Sequence, residues 1–404
     1  MKIVLATHNK NKLREMRAML SDFDIEVLST DDIGFTQEVE ENGLTFEENA
    51  RIKARAISAL GYIAIADDSG LCVDALNGAP GIYSARYAGE ECDYAKNNEL
   101  LLREMKDVPD EKRTAHFITA IVMSFPDSRE IVCIGRRDGI ILRELKGTDG
   151  FGYDPLFYIP ETGKTFAELS AREKNEISHR GLAMKELKRK IARLPKEKEK
   201  YTVGIYGGTF APPHVGHLHA INAFLSEGKI DFMLVIPSFI PPHKELEIGD
   251  KPKNRLEMTR LMLKNHPEYE KRIFVSDWEI EQGETSYTVN TLKHYSRFTD
   301  KLKLLIGTDM LMTFDQWKNP EIISSLCTLC YIPREEQDEE DRITVKEKID
   351  SLTEKYNTKV AVLPSKALEC SSTEIRENRK KGKDISKSVC TEVLNFINEN
   401  SLYT

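Results

Sequence analysis

Apolar residues run along this chain in short unbroken stretches. Each is closed by a polar or glycine-rich turn and followed by a segment whose apolar positions return every three to four residues. Such stretches predict buried strands, and the periodic segments predict helices laid against them. Residues 2–6 and 62–66 are clear strand runs in the first half. After the first, Leu13, Met16 and Leu20 share one helical face. Before the second, Thr45 and Glu48 form a capping box that opens the helix FEENARIKARAISAL. From residue 201 the rhythm is more regular: strand runs at 201–206, 231–236 and 303–306 alternate with helical segments such as LHAINAFL and NRLEMTRLMLKN. This alternation predicts an α/β fold with a parallel sheet, whose ligands sit beyond the strand C-termini.

Length divides the picture in two. A chain of 404 residues is long for one core and predicts two domains. The segment KRKIARLPKEKEK, a helix end followed by proline and alternating charge, has linker composition. The expected boundaries are 1–195, a charged linker at 196–200, and 201–404. Hydrophobic content of 40% with 31% charged residues describes a soluble globular protein, and a net charge of −8 argues against a nucleic-acid partner. No run approaches the roughly 18 apolar residues of a membrane span, and the first apolar run is too short for a signal peptide. Seven cysteines without framework spacing suit a reducing cytosol and a cytoplasmic location. Cys327 and Cys330 form a CxxC inside an apolar run, with no second pair and no nearby histidine, and read as strand.

Candidate chemistry gathers where strands end. Thr7, Asn9 and Lys12 offer a hydroxyl, an amide and an ammonium at a helix start, a combination that suits a polyphosphate or a solvated surface. Asn49 and Lys53 lie four apart on one helical face. The strand run 62–66 ends in Asp67, Asp68, Ser69 and Gly70, with Glu38, Glu40 and Glu41 upstream. These carboxylates read either as an acidic turn or as hard oxygen ligands for Mg2+, one of them able to take a proton from water. GTDGFGYDP at 147–155 pairs glycines with aromatics, and ISHRG at 177–181 places His179 and Arg180 just before a helix, with Lys174 upstream.

In the second half, YGGTFAPPHVGHL at 206–218 turns from strand to helix through two glycines and carries His214 and His217. Free backbone N–H groups and the positive helix end make that corner an anion site. PSFIPPHK at 237–244 is a proline-stiffened loop bearing Lys244, and CSSTEIR at 370–376 brings hydroxyls and Arg376 to another helix start. The acidic run 335–341 reads as a solvated loop.

Taken in order, TxNxxKxxE at 7–15, GLTFEENAxxKA at 43–54, ADDSGL at 66–71, GAPGIYSARYAG at 78–89, GFGYDPLF at 150–157 and ISHRG closely resemble the XTP/dITP pyrophosphatase family. The resemblance spans nearly all of residues 1–194. It implies a two-lobed, inosine-triphosphatase-like α/β domain, commonly a homodimer, that hydrolyses XTP, ITP and dITP to the monophosphate and pyrophosphate with Mg2+. On that likeness Thr7, His8, Asn9, Lys10, Asn11, Lys12 and Lys53 would bind the triphosphate. Asp68 would accept the proton and ligate metal, with Glu41 a second acidic group. Ser69, Phe151, Gly152, Tyr153, Asp154, Lys174, His179 and Arg180 would contact the substrate.

GGTFxPxHxGHL is similar to the HxGH signature of the nucleotidyltransferase superfamily. PPHK at 241–244, SYT at 286–288, GTD at 307–309, TFxxW at 313–317 and SSTEIR at 371–376 resemble nicotinate-mononucleotide adenylyltransferase within it. The likeness covers residues 201–404. It implies a Rossmann-like parallel-sheet domain that joins ATP to nicotinate mononucleotide, releasing pyrophosphate. His214 and His217 would donate to ATP phosphates in the transition state. Gly207, Gly208, Thr209, Phe210, Gly307, Asp309, Ser371, Ser372, Thr373 and Arg376 would hold ATP. Lys244 would sit over the mononucleotide phosphate, and Thr288 and Trp317 would receive the nicotinate ring. Such an in-line displacement needs positioning and charge stabilisation rather than a covalent intermediate. One position departs from the family: Ala211 stands where a polar residue is usual. Open alternatives are a half that binds nucleotide without turnover, and nicotinamide mononucleotide or phosphopantetheine as acceptor.

Overall fold

The computed structural model describes the chain except residues 1, 8, 22, 24, 90–91, 193–200, 243–249, 265, 267–268, 270–271 and 335–338. The expected linker at 196–200 lies outside the described residues. The chain divides into two compact units, Met1–Arg193 and Leu194–Thr404. Both are α/β. No helix among the described residues is long and apolar enough to cross a membrane.

The first unit contains β1 (Lys2–Leu5), α1 (Lys10–Leu20), β2 (Glu26–Ser29), α2 (Phe46–Ser58), β3 (Ile63–Val73), α3 (Tyr94–Glu104), β4 (Thr114–Ser124), β5 (Glu130–Ile141), β6 (Phe157–Ile159), β7 (Lys164–Thr165), α4 (Ala171–Ile177) and α5 (His179–Ile191). Its sheet runs β2-β1-β3-β4-β5-β6-β7 among the described residues. β1 pairs in parallel with β2 and β3, and the remaining pairs are antiparallel.

The strand expected at 62–66 does not stop there. It continues through Asp67, Asp68, Ser69 and Gly70 to Val73, paired with β4 throughout. The four residues are therefore mid-strand, not an acidic turn: β4 satisfies their backbone, and strand alternation sends neighbouring side chains to opposite faces. Two hydrophobic clusters flank them. Val4, Ala50, Ala54, Ile57, Ala64, Ala66 and Val122 belong to one. Leu71, Val73, Leu101, Phe117, Phe157 and Phe166 belong to the other. The polar stretch is the seam between two lobes.

Helix starts place the neighbouring side chains. Thr45 Oγ1 accepts from the Glu48 N–H at 3.1 Å, but the Glu48 carboxylate accepts from Leu44 rather than from Thr45, so the return half of the expected capping box lands one residue early. Ser178 separates α4 from α5 and caps the latter, accepting from the Gly181 N–H at 3.1 Å. His179 and Arg180 thus form the first turn of α5, not a segment preceding it. Gly135 lets β5 approach that turn closely: a Cβ there would lie 1.9 Å from the His179 carbonyl oxygen.

The second unit contains β8 (Val203–Gly208), α6 (Val215–Glu227), β9 (Phe232–Pro237), α7 (Pro252–Lys264), β10 (Ile273–Val275), α8 (Trp278–Gln282), α9 (Thr288–Tyr295), β11 (Leu302–Ile306), α10 (Thr308–Met312), α11 (Pro320–Leu326), β12 (Cys327–Tyr331), α12 (Glu339–Tyr356), β13 (Lys359–Val362), α13 (Ser372–Lys380) and α14 (Thr391–Glu399). Its sheet, β10-β9-β8-β11-β12-β13, is parallel throughout. Strand order reverses between β8 and β11, the place where doubly wound sheets open a crevice. β8 reaches beyond residues 201–206 because Gly207 and Gly208 pair with Ile236 and Pro237. The CxxC lies on β12, where burial pushes the Cys327 thiol up to about 12 and that of Cys330 to about 11. Such thiols stay protonated and inert. The acidic run is not all loop: residues 339–341 open α12.

Replacing Gly135 by Ala forces α5 off the sheet. We expect a loss of about 1–3 kcal/mol, the usual penalty of overpacking, seen as an earlier unfolding transition in urea.

Candidate active sites

A cavity of about 1000 Å3 opens at the seam of the first unit. Thr7, Asn9, Lys12, Glu41, Lys53, Asp68, Ser69, Phe151, Gly152, Tyr153, Asp154, Lys174, His179 and Arg180 all line it. His8 and the side chains of Lys10 and Asn11 lie outside the described residues.

The two adjacent aspartates of β3 serve different partners. Asp67 Oδ2 accepts from Arg180 Nε at 3.2 Å and Nη2 at 3.1 Å, and lies 3.2 Å from Lys12 Nζ. Arg180 Nη2 also donates to Ser69 Oγ, two residues along the same strand face, at 3.1 Å. Glu15 completes the cluster, 2.5 Å from Arg180 and 3.5 Å from Lys174. Lys174 reaches Asp154 at 2.7 Å. Burial alone would raise the Asp67 pKa, but Lys12, Arg180 and Lys53 together hold it well below the usual carboxylate range.

Asp68 faces the other way. Its Oδ2 accepts from Asn49 at 3.1 Å, and its Oδ1 lies 3.8 Å from Lys53, whose ammonium donates to Glu41 at 2.7 Å. Here burial wins over Lys53, and the Asp68 pKa is raised. Neighbouring carboxylates with pKa values pushed apart are the arrangement of an electrostatic anchor beside a general base.

At the far end of the cavity Phe151 carries two cations: Lys174 Nζ is 4.9 Å and Arg180 Cζ 5.8 Å from its ring centroid. His179 stacks on Phe117 at 4.7 Å, and burial, followed by Arg180 and Lys174, drives its pKa well below the ordinary value. It is a neutral imidazole. Tyr153 is buried, its hydroxyl donating to the Ser84 carbonyl at 2.9 Å, so it braces the loop.

Glu15 and Asn49 were given no site role from the sequence, and Asp67 only that of one of the carboxylates able to hold Mg2+. Glu15 closes the TxNxxKxxE spacing, and Asn49 shares the helical face of Lys53, so two of the three left a sequence signal. Asp67 could be separated from Asp68 only by knowing that both lie in a strand.

The second unit has a cavity of about 510 Å3 at the C-terminal ends of β8 and β11. It brings together Gly207, Gly208, Thr209, Phe210, His214, His217, Gly307, Asp309, Ser371, Ser372, Thr373 and Arg376. The His214 backbone N–H donates to His217 Nδ1 at 3.1 Å, so a neutral His217 carries its proton on Nε2. Burial lowers the His214 pKa to about 4, leaving that ring neutral as well. Arg376 Nη1 donates to the Ala211 carbonyl at 2.7 Å and Ser372 Oγ to the Pro212 carbonyl at 3.0 Å, stapling the start of α13 to the glycine corner. Arg334, not foreseen, also lines the cavity and pairs with both carboxylate oxygens of Asp309 at 2.7 and 2.8 Å.

Thr288 and Trp317 are not among the residues lining this cavity. Thr288 opens α9, and Trp317 packs on Phe314 with ring centroids 5.3 Å apart. Their segments do meet, since Lys318 Nζ sits 4.0 Å from the Tyr287 ring centroid. Lys244 lies outside the described residues.

Comparison with known proteins separates the same two units. Residues 3–190 match the model of the Ham1 family, and residues 205–378 match a cytidylyltransferase-like model. The dITP/XTP pyrophosphatase of Clostridium perfringens is 50% identical over 194 residues, covering 46% of this chain and 95% of that protein. Among solved structures, the Staphylococcus aureus Ham1 protein is 42% identical, covering 48% of this chain and 98% of that one, with a TM-score of 0.44. A Plasmodium falciparum nicotinic acid mononucleotide adenylyltransferase complexed with APC is 20% identical, covering 50% and 96%, with a TM-score of 0.40.

Removing the buried anchor tests the charge arrangement. Asp67→Ala leaves Arg180 and Lys12 without their shared counter-charge, and we expect a loss of about 3–5 kcal/mol in urea unfolding at neutral pH. A folded-state pKa held low contributes stability above the ordinary carboxylate range that fades as pH falls below it. The difference between wild type and Asp67→Ala should therefore shrink in acid.

Proposed function

We propose, from the premise that through its N-terminal unit this chain belongs to the Ham1 family, that this unit is a pyrophosphatase for non-canonical purine nucleoside triphosphates. XTP, ITP and dITP are the proposed substrates, with monophosphate and pyrophosphate as products. The carrying observation is the split between Asp67 and Asp68: one carboxylate locked to buried cations, its neighbour at the cavity wall with its pKa raised by burial. Lys12, Lys53, Lys174 and Arg180 offset the charge of a triphosphate, and Asp68 takes a proton from the attacking water. Neutral His179, stacked on Phe117 in the cavity lining, can donate or accept a hydrogen bond toward a 6-keto purine without adding charge.

Glu41 and Asp68 also fit a divalent cation, because both converge on one cationic point, the Lys53 ammonium. Mg2+ is usually held by one or two carboxylates plus substrate phosphates. Such an ion would supply charge neutralisation at the phosphates.

For the second unit we propose adenylyl transfer from ATP to nicotinate mononucleotide, giving deamido-NAD and pyrophosphate. The support is the HxGH corner at the sheet's switch point, with His214 and His217 lining one cavity together with Ser371, Thr373 and Arg376. His217 Nε2–H is the donor available to a developing phosphate charge. Ala211 does not remove an anchor, because position 211 holds Arg376 through its backbone carbonyl.

Two variants separate the activities. Asp68→Asn should abolish pyrophosphate release from dITP and leave release from ATP plus nicotinate mononucleotide intact; His217→Ala should do the reverse. Loss of both activities in either variant would sink the two-site reading. ATP binding without product would mark the second unit as a non-catalytic module. Faster turnover with nicotinamide mononucleotide or phosphopantetheine would reassign the acceptor.

Asp68 must be ionised to act, so kcat/KM for dITP should fall as pH drops through its raised pKa. Asn49 favours the carboxylate by donating to it, so Asn49→Ala should move that acid limb to higher pH. A pH–rate profile of both proteins reads the shift, and an unmoved limb would exclude Asp68 as the titrating base.

A further inference from the structure

Helix α3 contacts the cavity loops through side chains that the mechanism above does not use. Asn97 and Asn98 are consecutive, both buried, and point to different loops, as neighbours about 100° apart on a helix do. Asn97 accepts from the Ala88 N–H at 2.7 Å and donates to the Ala85 carbonyl at 2.9 Å. Asn98 Nδ2 donates to the Gly152 carbonyl at 3.0 Å. Its Oδ1 is buried without a partner among the described residues, so an amide is kept here for that one bond. One turn earlier on the same face, Tyr94 lines the cavity and sets its ring 6.1 Å from that of Phe151.

The loop so held has reason to move. Gly150 and Gly152 flank Phe151 with φ of +82° and +64°, so the aromatic residue sits between two left-handed hinges. Bonds on either side of the ring fix it, the Phe151 N–H to Asp154 Oδ2 at 2.7 Å and Asn98 to Gly152, while Tyr153 on Ser84 and Lys174 on Asp154 hold the residues that follow. The first lies within the loop and travels with it. The second ties the loop to a helix.

We infer that α3 is the element that sets base discrimination in the N-terminal cavity. Asn98 is a positioning residue that fixes the Phe151 wall through Gly152, and Tyr94 supplies a second aromatic surface for a purine ring. The inference rests on the pyrophosphatase reading and names the part of that site that sees the base rather than the phosphates. A wall free to swing about its glycines would still admit a nucleotide. It would no longer hold the ring where hydrogen-bond donors and acceptors tell a 6-keto purine with no 2-amino group from one that has it.

The experiment compares full-length wild type, Asn98→Ala, Tyr94→Ala and Tyr94→Phe on dITP and dGTP under steady-state conditions. KM for dITP should rise on the order of tenfold in both alanine variants, with kcat within about twofold, because Asp68 and its water are untouched. The ratio of kcat/KM for dITP over dGTP should narrow in step, and Tyr94→Phe should restore it. Equal losses on both substrates with an unchanged ratio, or losses confined to kcat, would overturn the inference while leaving the pyrophosphatase reading in place. A wild-type protein that does not hydrolyse dITP would overturn that reading and this inference with it. Tyr94 is only half-buried, so Tyr94→Ala carries the test if Asn98→Ala does not fold.

Discussion

The alternation of a single strand governs the first unit. β3 runs unbroken through Asp67 and Asp68, and consecutive strand residues face opposite ways, so the two carboxylates take different hydrogen-bond partners. One is buried against Lys12 and Arg180; the other faces Asn49 and Lys53. Were the same residues in a turn, both carboxylates would be free to seek the same cations and solvent, and their pKa values would converge. Long antiparallel pairing with β4 is what prevents this, and it also carries the strand across the seam between the two hydrophobic clusters. Fold and chemistry meet in that one register.

The second unit solves a similar electrostatic problem with fewer charges. Its cavity presents backbone, hydroxyls and two imidazoles, that of His214 neutral, and Arg334 is already neutralised by Asp309. Arg376 is held by a carbonyl. On the proposed reading the acceptor phosphate is itself the nucleophile, so the site has no water to deprotonate and nothing like Asp68 is required. On that reading the difference between the two cavities matches the difference between hydrolysis and transfer.

Much of this was legible in the sequence, and the reasons are specific. Parallel strands buried on both faces leave continuous apolar runs, so β8, β9 and β11 could be read directly, and glycine-rich corners advertise where they end. The residues of the first cavity could be named because their motifs resemble a family, even though they come from many separate segments of the chain. What could not be read was orientation. DDSG gives no sign of being mid-strand, because aspartate and glycine are poor strand formers and look like a turn; only tertiary pairing overrides that preference. The same blindness hid Asp67 as the partner of Arg180, 113 residues away, and the role of consecutive asparagines on α3.

Thr288 and Trp317 show the opposite case, residues whose motif placed them confidently and whose side chains do not line the cavity of His214 and His217. The contact of Lys318 with Tyr287 brings their segments together at a different place. On the proposed reading the product is a dinucleotide whose two halves are joined by a pyrophosphate, so one cavity need hold only one half. The cavity at the β8–β11 switch point gathers Ser371, Ser372, Thr373 and Arg376, and neither Tyr287 nor Lys318 lines it. The loop after β9 is bonded to the segment of Thr288, the Phe239 N–H donating to Ser286 Oγ at 2.8 Å.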